Sequence, residues 1–205
     1  LNDGGGLSAV PAWLSLQSGY THSVAWGDVD GDGDLDLAAG AVLSVQGGTI
    51  RMFGLVSGSG NIDASAGTVE YHGNTPQSIV SNLFAGNSVQ NLTVANTAGV
   101  SIAGSLGVTG AVLVQTGELA SNGNLTLVSD ATRTAFIDGS GAGTVSGNVT
   151  MQRYLPSKFG YRYFSSPFVA STVNEFADDM DLASSWPLLY RYDESRTSSG
   201  WVSYT

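Results

Sequence analysis

Five aspartates stand at every second position from Asp28 to Asp36, in a stretch that reads WGDVDGDGDLDLAAG from Trp26 to Gly40. Asp28, Asp30, Asp32, the Asp34 backbone position and Asp36 occupy places 1, 3, 5, 7 and 9 of one short loop. Hard oxygen donors at alternate places can wrap a single cation, and Gly33 at place 6 permits the sharp turn that wrapping needs. Without a cation these carboxylates repel one another strongly. The pattern therefore predicts a Ca²⁺ site with Asp28, Asp30, Asp32, Asp34 and Asp36 as its ligands. Mg²⁺ fits less well, because it demands octahedral geometry and gives up water reluctantly. An EF-hand is excluded, since place 12 holds Ala39 instead of Glu and the preceding VAWG reads as a strand rather than a helix.

Other chemistry is sparse. Asp63, Glu70, His72, Glu118, Asp130, Arg133 and Asp138 are spread along the middle of the chain, and Asp130 with Arg133 is the one close pair of an acid with an arginine. That pair reads as an ordinary surface ion pair. His22 and His72 are the only histidines, and with no Cys beside them a zinc site is not expected. Asp178, Asp179 and Asp181 read as a solvated turn, and no G-x-S-x-G marks a serine nucleophile. Asn91, Asn124 and Asn148 each begin an N-x-[ST] sequon, which a turn-rich chain acquires by chance. The expectation is a protein that is not an enzyme.

Composition agrees with a β protein. The chain has 205 residues, 42% of them hydrophobic, which is enough to bury a core, while 12% charged residues and 28 Gly suit many short strands and tight turns. A net charge of −10 with seven scattered basic residues excludes nucleic acid as a partner, because phosphate binding needs clustered Lys and Arg. The absence of Cys excludes a disulfide scaffold and fits a secreted bacterial protein. No run of 18 apolar residues is present, so no membrane span is expected, and an export leader would have to lie outside this sequence.

Three textures divide the chain. Residues 1–40 form one repeat unit around the aspartate loop. Residues 41–151 are nearly uncharged, and Val94, Val100, Leu106, Val112, Leu119 and Leu125 recur about every six positions. Each tends to be followed two positions later by another small or apolar residue, so both face one side of a strand. Short strands at near-regular spacing predict the stacked coils of a β-solenoid, with a β-sandwich as the alternative. Residues 152–205 are rich in aromatics and read as a packed β domain with a short helix around Val173–Asp179. The predicted fold is all-β: a β-solenoid of short strands between an N-terminal calcium-loop repeat and a C-terminal β-rich domain.

GDVDGDGDLDLAAG, with SVAW before it and NDGGG earlier, resembles the calcium loop of the FG-GAP or VCBS repeat. That resemblance implies a unit of a β-propeller, which needs several blades where this chain has one. It leaves two readings open, a piece of a longer propeller or a calcium-stiffened joint between modules. GTVEYHGNTPQSI (67–79), the NLTV stretch through Ser129, and GNVTMQRYLPSKFGYRYFSSPF (147–168) are similar to repetitive parts of large type IX-secreted surface proteins of gliding bacteria. This second resemblance implies an extracellular, cell-surface structural or adhesive segment that forms fibres by self-association or meets neighbouring domains, with surface glycans as further partners. A secreted carbohydrate-binding or polysaccharide-degrading β-helix module is the alternative.

Overall fold

The computed structural model describes residues 35–37, 40–156, 160–163, 168, 171–185 and 187–204. The chain divides into two units, Leu1–Pro156 and Ser157–Thr205. The first begins with β1 (Leu35–Leu37), β2 (Val42–Met52), β3 (Val56–Gly58), β4 (Asn61–Gly73), β5 (Gln77–Ile79) and β6 (Phe84–Ile102). It continues through β7 (Leu106–Val108), β8 (Ala111–Ala120), β9 (Leu125–Leu127), β10 (Phe136–Asp138), β11 (Thr144–Ser146) and β12 (Val149–Met151). All pairings between these strands are parallel, and each strand lies on the one a coil later. The result is a β-solenoid of about five turns, as the sequence predicted.

The registers explain the six-residue recurrence. Val94 lies opposite Val114, Val100 opposite Leu119, and Leu106 opposite Leu125. Val94 and Val100 thus fall in the β6–β8 pairing on either side of its register shifts, Leu106 falls in the β7–β9 pairing, and three steps complete one coil. Within each ladder, like sits on like: Ile50, Val69, Leu92 and Val112 form one continuous apolar column. Leu92, Val94, Val112 and Leu119 are fully buried, and their sequence neighbours face outward. Burying each such side chain is worth roughly 1.5–3 kcal/mol, which offsets the cost of ordering its coil.

A polar corner crosses this apolar core. The Asn96 amide donates to the Gln77 side-chain oxygen and to the Thr75 carbonyl, both at 2.7 Å, while its own oxygen accepts from the Ala98 N–H at 2.9 Å. Gln77 in turn donates to the carbonyls of Met52 at 3.0 Å and Gly54 at 3.1 Å. Three successive coils are thus joined through two buried amides, which satisfy backbone groups where the strands turn. Gly117, opposite Asn96, has φ +78°, and a Cβ there would collide with the Asn96 carbonyl oxygen. Tyr71 is buried in the core with no partner for its hydroxyl, and burial pushes its phenol well above the usual range.

Among the described residues the second unit contains a 3-10 turn at Val173–Phe176, shorter than the helix expected there, and an antiparallel pair of β13 (Tyr190–Tyr192) and β14 (Trp201–Ser203). Its aromatics differ from the packed core anticipated from their density. Tyr161, Tyr163, Tyr190, Tyr192 and Trp201 are exposed, because a two-stranded hairpin offers no second layer among the described residues. Phe159, Phe164 and Trp186 lie outside the described residues.

Two substitutions test the core account by chemical denaturation. Asn96→Ala strips Gln77 and two backbone groups of partners and should cost about 2–3 kcal/mol. Tyr71→Phe removes a hydroxyl with no partner and should leave stability unchanged or raise it by about 1 kcal/mol; a clear loss would mean that the hydroxyl is bonded.

Candidate functional site

Asp28, Asp30, Asp32 and Asp34 lie outside the described residues, whereas Asp36 falls in β1. That strand pairs in parallel with β3, with Asp36 opposite Ser57. The next residue, Leu37, is only 3% exposed and belongs to the same core cluster as the later coils. Its carbonyl accepts from the N–H groups of Ser59 at 3.0 Å and Gly60 at 3.1 Å. The chain leaving the aspartate loop is therefore already part of the solenoid. Propeller blades are antiparallel sheets, but both β1 and β2 pair only in parallel among the described residues.

The coils assemble a cluster that linear spacing hid. Arg51 and Glu70 are 19 positions apart in sequence yet directly opposite in register, and Arg51 Nε meets Glu70 Oε2 at 2.9 Å. The other carboxylate oxygen, Oε1, lies 3.1 Å from His72 Nδ1. Phe53 packs its ring against the His72 imidazole, with centroids 5.0 Å apart. Glu70 and His72 are thus not single, as the sequence suggested. For Glu70 with His72 the signal lay in strand alternation, which puts residues two apart on one face; for Arg51 with Glu70 it lay in the coil period, which sets residues one coil apart side by side. The Glu70 side chain is 12% exposed, the lowest value in any described ion pair, and each of its carboxylate oxygens has its own nitrogen partner.

The remaining acids are structural. Asp130 and Arg133 form the expected surface pair at 3.6 Å. Asp63, Asp130, Asp138 and Asp193 each accept from the residue two places on: Ser65, Thr132, Ser140 or Ser195. These bonds, from side chain or backbone, hold all four carboxyls below the usual aspartate range. Glu118 accepts from the Ser146 hydroxyl one coil on. Asp178, Asp179 and Asp181 are exposed, and Asp181 bonds the Ala183 N–H. Among the described residues, no three His, Asp or Glu side chains gather as a metal-binding group. Two of the three sequon asparagines serve the coils: Asn91 accepts from the Ala111 N–H and Asn124 donates to the Ile102 carbonyl.

Residues 20–50 match the FG-GAP repeat. The match runs from the aspartate loop through β1 and into β2, so it overlaps the first coil. No curated protein and no solved structure matches the chain. FG-GAP repeats occur in extracellular or surface proteins, and the match points to a repeat protein of the surface or adhesion type. No described helix is long and apolar enough to cross a membrane.

The turn carboxylates give a pH test. Hydrogen bonding favours their ionised form in the fold, so the stabilisation is full above the unfolded value of about 3.9 and is lost as pH falls through the lower folded value. Carboxyl-carbon NMR should place the Asp130 midpoint below that of an unstructured aspartate, and Thr132→Ala should return it toward the ordinary range.

Proposed function

We propose that this chain is a segment of an extracellular cell-surface protein in which the parallel solenoid is a rigid spacer and a Ca²⁺-bound loop stiffens its N-terminal junction. The observation that carries this reading is β1, which ends the aspartate loop and pairs with β3 as part of the first coil. A cation held by Asp28, Asp30, Asp32, Asp34 and Asp36 restrains that strand directly. The donor set suits calcium, being wholly oxygen and spaced for one ion. The parallel pairing of β1 and β2 favours a joint between modules over a propeller blade. At a Ca²⁺ concentration 100 times the dissociation constant, such a site adds about 2.7 kcal/mol to folding.

The finer reading is an adhesive or structural element of the kind carried by large type IX-secreted surface proteins. In-register parallel strands are a geometry that a second copy can extend, so self-association into fibres belongs to the same proposal. A secreted glycan-binding module is the second reading, favoured by the exposed rings of Tyr163, Tyr192 and Trp201. Tyr163 and Tyr192 lie 6.0 and 5.1 Å from Trp201, centroid to centroid.

Calorimetric titration of the chelator-treated chain with Ca²⁺ should show one site, and the paired change Asp30→Asn with Asp32→Asn should weaken it by at least about tenfold. Absence of any heat or calcium-dependent rise in melting temperature would sink the junction reading. Negative-stain microscopy with calcium tests assembly: fibres that loosen on chelation are expected, and uniform single particles would contradict self-association.

A further inference from the structure

Nothing in the function proposed above uses the outward patch of β2 and β4, where Arg51, Phe53, Glu70 and His72 form two adjacent cross-coil pairs. Glu70 engages each oxygen with a different donor, and this fixes both neighbours: Arg51 through Nε, His72 through Nδ1. The terminal guanidinium nitrogens and His72 Nε2 have no partner among the described residues, and the two side chains are 62% and 45% exposed. Beside them the Phe53 ring is 64% exposed. A buried carboxylate therefore holds two nitrogen-bearing groups in place next to an open apolar face.

The geometry points to a binding site for a carboxylated sugar ring, a uronic acid residue of an acidic glycan. Charge selects the ligand. The Glu70 carboxylate offsets the Arg51 guanidinium, so the pair is neutral. That balance suits a singly charged carboxylate better than a phosphate dianion, which the Glu70 charge repels about twice as strongly. The guanidinium offers paired N–H donors to the ligand carboxylate, His72 adds a second anchor, and Phe53 covers the apolar face of the pyranose. The groups around His72 leave few competitors: Glu70 on its own strand, Arg51 on one side, and the uncharged Thr93 and Ala95 of β6 on the other.

The inference rests on the reading of this chain as a surface protein that meets extracellular polymers, but its test is separate from calcium. Calorimetry or chemical-shift titration of the whole chain with trigalacturonate and with its methyl ester would read it. The acid should bind about tenfold more tightly than the ester. His72→Gln and Phe53→Ala should each weaken binding of the acid about tenfold. Both residues are exposed, so unchanged melting temperatures would confirm that the variants fold. Equal binding of acid and ester, no binding of either, unchanged affinity in His72→Gln, or equal affinity for inorganic phosphate would each overturn the assignment. A Ca²⁺ titration of the same sample separates failure of this site from failure of the junction.

Discussion

Parallel stacking of one coil on the next is the interaction on which everything else in the first unit depends. No single coil can bury its apolar side chains alone, and the backbone groups of each strand find partners only on the coils above and below. Columns such as Ile50, Val69, Leu92 and Val112 therefore hold register as well as core. A slip by one residue would turn each column outward. Uncharged, β-rich sequence with small residues at the corners is the composition this constraint selects.

The corners are where apolar stacking fails, and amides take over there. Asn96 and Gln77 bind backbone groups that a purely apolar turn would leave unsatisfied, tying three coils together at the cost of burying four polar atoms. The outer face follows the same geometry with the opposite chemistry. Residues one coil apart become neighbours, so isolated charges in a sparse sequence turn into pairs. Arg51 with Glu70 and Glu118 with Ser146 are both of this type.

Much of the solenoid was legible in advance because its signal is periodic. The six-residue recurrence from Val94 to Leu125 marks three steps per coil, and strand alternation fixes which side is buried. In the Glu70 cluster, strand alternation alone puts Glu70 and His72 on one face, but the meetings of Arg51 with Glu70 and Phe53 with His72 were not legible, since linear spacing does not give the coil length, which varies with bulges and corners. The C-terminal aromatics misled for a different reason. Density of rings implies burial only where a second layer exists to cover them, and the hairpin of Tyr190–Tyr192 with Trp201–Ser203 provides none among the described residues. The aspartate spacing named a chemistry from sequence alone, but its setting came from the pairing of β1 with β3.

That pairing joins the two halves of the account, because one three-residue strand is both the exit of the acidic loop and the start of the coil stack. Hydrogen exchange at single-residue resolution, with calcium and then with chelator, examines the link directly. The account predicts that calcium slows exchange at Ser59 and Gly60, whose N–H groups bond the Leu37 carbonyl, while amides of β6 and β8 stay unchanged. Calcium binding that leaves Ser59 and Gly60 unaltered would contradict it, and would separate the loop from the solenoid.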